Sequence, residues 1–310
     1  MEKKVLILGI TGMLGSMVYS HLSENLKIDT YGTARRYANF NLNNIYNFSV
    51  TDSKQTSNIL RNIIDDIEPD FIINCIGVIN KHCNDRNEDN ITNAINVNSL
   101  FPHILNDVCI NISPKIKIIQ IATDCVFNGN KGRYTEYSKS DAWDIYGKSK
   151  WLGEVVSKYF LNIRCSIIGP EIYNKINLLE WFLSIKANEE IKGYNNHYWN
   201  GITTLQFAKF IETIIIENNF KYLRNLHHTI HYVPNKKLSK YELLKLFNEI
   251  FNKEINIKKH NCNRSIDRTL ESDFLNINKS NIKKALIQLK EKMDNGYYEE
   301  QKCYNRYGNL

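Results

Sequence analysis

Several familiar signatures are missing from this chain. Its seven cysteines (Cys75, Cys83, Cys109, Cys125, Cys165, Cys262 and Cys303) are scattered, odd in number and free of any CxxC pair. That excludes a disulfide framework or a cysteine zinc site as the organising principle and fits a reducing compartment, with no metal expected. No apolar run approaches the length needed to span a bilayer, and the opening MEKKVLILGITG has too few apolar residues before its first glycine for a signal-peptide core. A cytoplasmic protein with no membrane partner is the expectation. No internal repeat or low-complexity block stands out in the 310 residues. The basic excess is +7, and its lysines and arginines are spread rather than clustered, so no nucleic-acid partner is expected. A phosphate-bearing small substrate suits that charge equally well.

What is present is alternation. In the first half, short apolar β-type runs (KVLILG, IDTYGTA, DFIINCIG, IKIIQIATD, NIRCSIIG) alternate with stretches of helical periodicity (MLGSMVYSHLSENL, SKQTSNILRNIIDDI, ITNAINVNSLFPHILNDVCI). This is the pattern of a parallel sheet flanked by helices. Asp52 or Ser53 caps the second helix, and Pro69 marks where it has ended. The run WLGEVVSKYF also reads as helical. After Pro170 the alternation is lost and aromatic and charged residues become more frequent, which marks the start of a smaller region layered on the first. TTLQFAKFIETIIIENN and SKYELLKLFNEIFNK are amphipathic helices, Ser239 and Glu242 form a capping-box pattern, and LHHTIHYV between them reads as a strand that rejoins the sheet. The polar end NGYYEEQKCYNRYGNL is expected to be partly disordered.

VLILGITGMLGSMV places Gly9, Gly12 and Gly15 at three-residue intervals, directly after a strand and into a helix. The first permits the tight turn, the second lets backbone approach a pyrophosphate, and the third lets the helix pack on the strand. The helix start then offers free N–H groups to phosphates. Gly9, Thr11, Gly12, Met13, Leu14 and Gly15 are the candidate dinucleotide contacts of this turn. At the end of the second strand a carboxylate selects NAD and an arginine accommodates the 2′-phosphate of NADP. TYGTARR has Arg35 and Arg36 and no acid, so NADP(H) is the expected cofactor. Asp52 is a candidate for the adenine edge as well as a helix cap. Asn74 and Gly77 in NCIG sit where a strand end meets the cofactor.

YGKSK places Tyr146 and Lys150 four residues apart, on one face of a helix. A neighbouring cation favours the ionised form of a phenol, which is expected to lower the Tyr146 pKa and make it a usable acid or base. Upstream, IATDCVFNG ends a strand with Thr123, whose hydroxyl can bond the same reacting oxygen.

The combination GITGMLG, NCIG, ATDCVFNG and YGKSKWLGE resembles the extended short-chain dehydrogenase/reductases, specifically the dTDP-4-dehydrorhamnose reductase branch. The resemblance is specific over residues 4–170. It continues more loosely through RCSIIGPE, LLEWFLS, KGYNNHYWNGITT and IDRTLES, which are similar to a subgroup from nucleotide-sugar pathways for surface polysaccharides. It implies an α/β fold, a Rossmann-type doubly wound parallel sheet with a smaller, mostly C-terminal α/β substrate-binding region. Residues 1–170 would form the NADP-binding part, rejoined by 201–235, with 171–200 and 236–310 forming the substrate-binding region. It also implies Thr123, Tyr146 and Lys150 as the catalytic group, with Tyr146 and Lys150 also touching the cofactor. The implied reaction is NADPH-dependent reduction of the C4 keto group of a nucleotide-diphosphate-linked 4-keto-6-deoxy sugar. The favoured substrate is UDP-2-acetamido-2,6-dideoxy-hexos-4-ulose, giving an N-acetyl-L-rhamnosamine-type product, with dTDP-4-dehydrorhamnose as the alternative.

The resemblance has one informative departure. The 4,6-dehydratases carry Thr-Asp-Glu where this chain has Thr123, Asp124 and Cys125, so dehydration is not expected and Cys125 reads as a packing residue. An epimerase, or a combined 3-epimerase and 4-reductase, stays open, with His82, Cys83 and His103 as nominal proton carriers. So does a non-catalytic NADP-binding regulatory subunit, since the regulatory subunit of methionine adenosyltransferase resembles the same branch. Candidate substrate contacts are Lys81, Thr123, Asp124, Cys125, Trp199, Asn200 and Arg268, the last for a diphosphate. A homodimer is compatible with the sequence, which does not reveal the oligomeric state.

Overall fold

Successive side chains on a strand point to opposite faces, so a run that is apolar at every position must be covered on both. In the computed structural model, which describes residues 2–35, 44–173 and 175–297, the central strands obey this. Val5, Ile7, Phe71, Ile73, Ile119, Leu161 and Ile163 join one core cluster, and Leu6, Leu8, Ile72, Ile118 and Phe160 join the other. Seven strands build the sheet: β1 (Lys3–Leu8), β2 (Ile28–Ala34), β3 (Ile45–Asn47), β4 (Phe71–Asn74), β5 (Lys117–Thr123), β6 (Phe160–Cys165) and, from much later in the chain, β11 (Thr229–His231). Their order is β11-β6-β5-β4-β1-β2-β3, and every pairing is parallel. This is a Rossmann-like sheet, and its strand order reverses between β1 and β4. Ligands of such sheets bind in the crevice outside the strand ends at that reversal.

Helices α1 (Met13–Ser23), α7 (Thr204–Ile216) and α8 (Phe220–Leu226) cover the first face. Helices α2 (Ser53–Ile67) and α4 (Phe101–Ile112) cover the other. Asp52 caps α2 through Gln55 N at 2.9 Å, as its position before the helix suggested. The long stretch from 91 to 110 is not one helix. A π-helical turn, Ile95–Leu100, separates α3 (Glu88–Ala94) from α4. α5 (Ile145–Leu152) is also shorter than its sequence suggests, because WLGEVVSKYF leaves the helix at Gly153. A side chain there would lie 1.9 Å from the Asn98 carbonyl oxygen, so the glycine lets α5 press onto the π turn. Glu154 then turns inward to Arg164 on β6.

The remaining elements form smaller sheets and helices, mostly C-terminal. β7 (Ile167–Ile168) leaves the main sheet after Ser166 and pairs with β10 (Ile202–Thr203). β8 (Glu190–Tyr194) pairs with β13 (Asn256–His260), while β9 (His197–Trp199) lies between β12 (Leu238–Ser239) and β14 (Ile266–Asp267). α6 (Leu178–Ser184), α9 (Lys240–Ile250) and α10 (Lys283–Lys292) send Leu179, Phe182, Leu243, Phe247, Leu286 and Leu289 into the first-face core. The Ser239–Glu242 capping box is present at α9, with backbone bonds of 2.7 and 3.2 Å. Past α10 the chain turns at Gly296, φ +89°, and buries Tyr297, whose hydroxyl lies 2.7 Å from Ser16 Oγ on α1. No described helix is long and apolar enough to cross a membrane. Arg36, Cys303 and most of the polar C-terminal stretch lie outside the described residues.

The Arg164–Glu154 pair is a fork of 2.6 and 2.5 Å with both side chains about 5% exposed, the guanidinium lying 5.3 Å from the Phe127 ring centroid. Removing one partner strands the other charge in the core. Glu154→Ala is therefore expected to lower unfolding stability by about 3–5 kcal/mol, measured by denaturant titration, whereas a surface control such as Glu190→Ala changes it by about 1 kcal/mol or less.

Candidate active site

The dinucleotide turn follows directly from β1. Gly9 takes φ +85°, a left-handed conformation that side chains disfavour. Its N–H donates to Thr33 Oγ1 at 3.0 Å, and Ile10 N donates to the Thr33 carbonyl at 2.9 Å, so β2 clamps the turn. A side chain at Gly15 would lie 2.1 Å from the Gly9 carbonyl oxygen, so this glycine is required by packing alone. Gly12 differs: a Cβ there would meet only the Gly9 oxygen, at an ordinary 3.5 Å. Nothing inside the protein forbids a side chain at Gly12, which leaves a close-lying ligand as the reason for its absence. Gly12 is also the N-cap of α1 and supplies no capping side chain, so the first N–H groups of the helix stay free for phosphate oxygens. These features fit a dinucleotide.

Thr11, Met13 and Leu14 complete the turn. Arg35 is exposed at the bend after β2, two residues beyond the partner of Leu8. Asp52 is exposed and engaged as a cap. Asn74 is buried, donating to Gln120 Oε1 at 2.8 Å and accepting from Ile76 N at 3.1 Å, which braces the ends of β4 and β5.

The small residues around Tyr146 have packing reasons as well. Asp144 caps α5 through Gly147 N at 2.7 Å. A side chain at Gly147 would lie 2.3 Å from the Cys125 carbonyl oxygen and 2.4 Å from Ala142 Cβ, so glycine lets the helix touch the turn that follows β5. Ser149 is fully buried and donates to the Tyr146 carbonyl at 3.0 Å, while its own carbonyl accepts from Ser99 Oγ at 2.9 Å. The Tyr146 phenol lies near the Thr123 hydroxyl and the Cys125 side chain. One helical turn on, Lys150 is 6% exposed and donates to the Ile121 carbonyl at 2.9 Å. Its Nζ would stand 3.8 Å from a side chain on Gly77, at the mouth of β4.

The electrostatics reverse one expectation. Burial raises the Tyr146 phenol well above the usual tyrosine range, with Cys125 adding to the rise and the nearby Thr123 hydroxyl opposing it. Lys150 does not offset it, because its ammonium is turned to a backbone carbonyl and is itself desolvated, its pKa lowered to about 8 by burial against the pull of Glu154. Tyr146 is therefore a protonated phenol, suited to giving a proton rather than to resting as phenolate. Cys125 is likewise held as a thiol, raised to about 12 by burial and Asp124, so it cannot serve as a base near neutrality. Asp124 is buried and raised by desolvation, opposed by Arg268 and then Lys240. Among the described residues no group of three His, Cys, Asp or Glu side chains could hold a metal ion.

The candidate substrate residues divide. Asp124, Cys125 and Arg268 come together beside Tyr146, Arg268 donating through Nε to the Phe127 carbonyl at 2.9 Å and reaching Cys125 Sγ at 4.0 Å. Trp199 lies on β9, buried, under the Lys240 amine. Asn200 spends its amide on Leu270, donating to the carbonyl at 2.8 Å and accepting from the N–H at 3.1 Å, so it ties two backbones together. Lys81 sits in an exposed turn and bonds the Ile176 carbonyl. His103 bonds the Leu152 carbonyl at 2.9 Å at the end of α5.

The chain matches the RmlD substrate binding domain family over residues 3–290. It belongs to that family. Methionine adenosyltransferase 2 subunit beta from Bos taurus is 24% identical over 265 residues, 81% of this chain and 73% of that protein. Among solved structures, a dTDP-4-dehydrorhamnose reductase from Bacillus anthracis in complex with NADP superposes with a TM-score of 0.73 at 20% identity, covering 94% of this chain and 100% of that one. One from Clostridium acetobutylicum gives 0.70 at 18%, covering 94% and 99%. At such identities the superpositions establish the fold alone.

Two residues of this RmlD-family chain gain importance only in the structure. Asn98 in the π turn is buried, donating to the Val78 carbonyl at 3.0 Å and Ser149 Oγ at 3.2 Å while accepting from Val78 N at 2.8 Å. It fixes the loop after β4 against α5, and nothing in the stretch NVNSL sets it apart from Asn96. Lys240 is the other; it opens α9 beside a capping box that drew attention to Ser239 instead.

The two glycines of the turn give a separable test. Gly15→Ala should unfold or strongly destabilise the protein. Gly12→Ala should keep its melting temperature within a few degrees while weakening dinucleotide binding about tenfold or more, read by fluorescence titration with NADPH. Equal binding by Gly12→Ala and wild type would remove the ligand explanation for that glycine.

Proposed function

We propose that the chain is an NADPH-dependent reductase of the C4 keto group of a nucleotide-linked 4-keto-6-deoxy sugar, acting on the product of a separate 4,6-dehydratase. The observation that carries this reading is the convergence of Thr123, Tyr146 and Lys150 at the ends of β4 and β5, beside a glycine turn on β1 that fits a dinucleotide. When bound, NADPH supplies the hydride. Arg35, with no acid at the end of β2, favours the 2′-phosphorylated form. Lys150 lies beside Gly77, where it can hold the nicotinamide ribose. Thr123 orients the sugar carbonyl, and the protonated Tyr146 gives its proton to the C4 oxygen as negative charge develops there.

The favoured substrate is UDP-2-acetamido-2,6-dideoxy-hexos-4-ulose, on the strength of the resemblance of RCSIIGPE, LLEWFLS and KGYNNHYWNGITT to the polysaccharide subgroup; dTDP-4-dehydrorhamnose is the alternative. The likeness to a methionine adenosyltransferase beta subunit supports a second reading, an NADP-binding subunit that works through a partner protein. The intact Thr123, Tyr146 and Lys150 set favours the enzyme.

NADPH consumption with dehydratase-generated UDP-N-acetylated and dTDP 4-keto-6-deoxy sugars decides between them. Wild type should turn over one of the two, and Tyr146→Phe should lose about 10²–10⁴-fold in kcat. The reduction should slow as pH rises through about 8, because the lowered pKa of Lys150 means that its ammonium is present below that value and lost above it. NADPH binding without turnover on either sugar would move the reading to the subunit or to an epimerase.

A further inference from the structure

Thr123 ends β5 with its hydroxyl among three groups. It accepts from Cys125 N at 3.2 Å, donates to Asp124 Oδ1 at 3.3 Å, and lies near the Tyr146 phenol. A hydroxyl has a single proton to give and two lone pairs with which to accept. An ionised Asp124 is a charged acceptor and draws that proton to itself. What Thr123 then offers the cleft is a lone pair, which cannot support a carbonyl oxygen on which negative charge develops. A neutral Asp124 reverses the contact. Its acid O–H donates to Thr123, the Cys125 N–H fills the other lone pair, and the Thr123 proton is released toward the cleft beside the Tyr146 phenol.

The surroundings of Asp124 favour its neutral form more than water does. The residue is 7% exposed, and burial raises its carboxyl above the ordinary value, opposed by Arg268 past β14 and then by Lys240 on α9. The other titratable groups that face it are Tyr146 on α5, Cys165 on β6 and Cys125 beside it, each raised by burial and so uncharged near neutrality.

We infer that Asp124 is a positioning residue: as a neutral carboxylic acid it turns the Thr123 proton onto the sugar C4 oxygen, and as a carboxylate it turns that proton away. The inference rests on the reductase reading for the identity of that oxygen, and goes beyond it by making Thr123 competent in only one charge state of its neighbour. Asp124 contributes a hydrogen bond and transfers nothing; the proton that ends on the C4 oxygen is still that of Tyr146.

The pH dependence of kcat tests this. The useful form of Asp124 is present below its raised pKa and lost as pH rises through it, so the step falls above the ordinary carboxyl value of about 4. Wild-type kcat should show this early fall ahead of the later one through about 8 that belongs to Lys150. Asp124→Asn, whose amide N–H can donate to Thr123 at every pH, should lose the early step and keep the later one, so that between them its kcat exceeds that of wild type by about 3- to 10-fold. Thermal unfolding checks that the variant is folded. Carbon-13 NMR of the aspartate-labelled full chain without substrate, with the variant giving the assignment, should show the Asp124 carboxyl still neutral where ordinary aspartates have ionised. An Asp124 that ionises at about 4, an asparagine variant that keeps the early step, or a wild-type profile without one would each overturn the inference. Absence of turnover with every keto sugar would instead sink the reductase reading, and the two failures are told apart because the NMR titration needs no substrate.

Discussion

How closely α5 can approach the ends of β4 and β5 is the constraint on which the site depends. Two glycines set that distance, Gly147 against the Cys125 carbonyl and Gly153 against the Asn98 carbonyl, and in each case a single added carbon would collide with backbone. Tyr146 adjoins the first and Lys150 lies between the two, so the contacts that seat the helix also aim its two polar side chains. Asn98 and Ser149 complete the seat with hydrogen bonds, not bulk. The π turn that presents Asn98 costs the flanking helices their continuity, as such bulges commonly do where a side chain must be re-aimed.

Desolvation, more than ion pairing, sets the charge states around the cleft. It keeps Tyr146 and Cys125 protonated and weakens the hold of Lys150 and Lys240 on their protons to a similar degree. Partly desolvated cations of this kind gain most when a ligand supplies the missing counter-charge. The deeper Arg164–Glu154 fork contrasts with it, being complete within the protein and indifferent to ligands.

The sheet was legible because its cause is local: near-continuous apolar runs can be satisfied only between two helical layers, and IDTYGTA and SKQTSNILRNIIDDI have the boundaries of β2 and α2. The glycine turn and the Tyr146–Lys150 spacing were legible for the same reason. What was not legible depends on contacts distant in sequence. The early end of α5 reflects Glu154 reaching Arg164, the place of Trp199 on a strand reflects pairing with β12 and β14, and the direction of the Tyr146 shift reflects how much protein surrounds the ring. The nearness of the Lys240 amine to Trp199 is likewise a contact distant in sequence.

The buried contact between Tyr297 and Ser16 joins residues 281 apart in sequence, one of them one step beyond the last glycine of the dinucleotide turn. Chains emerge from the ribosome N-terminus first, so this turn is the first part of the site to be made. Its supporting helix acquires the Tyr297 phenol only after the segments between them have been synthesised. Until Tyr297 docks, Ser16 lacks that hydroxyl partner, and the helix behind the turn is completed by a residue far along the chain.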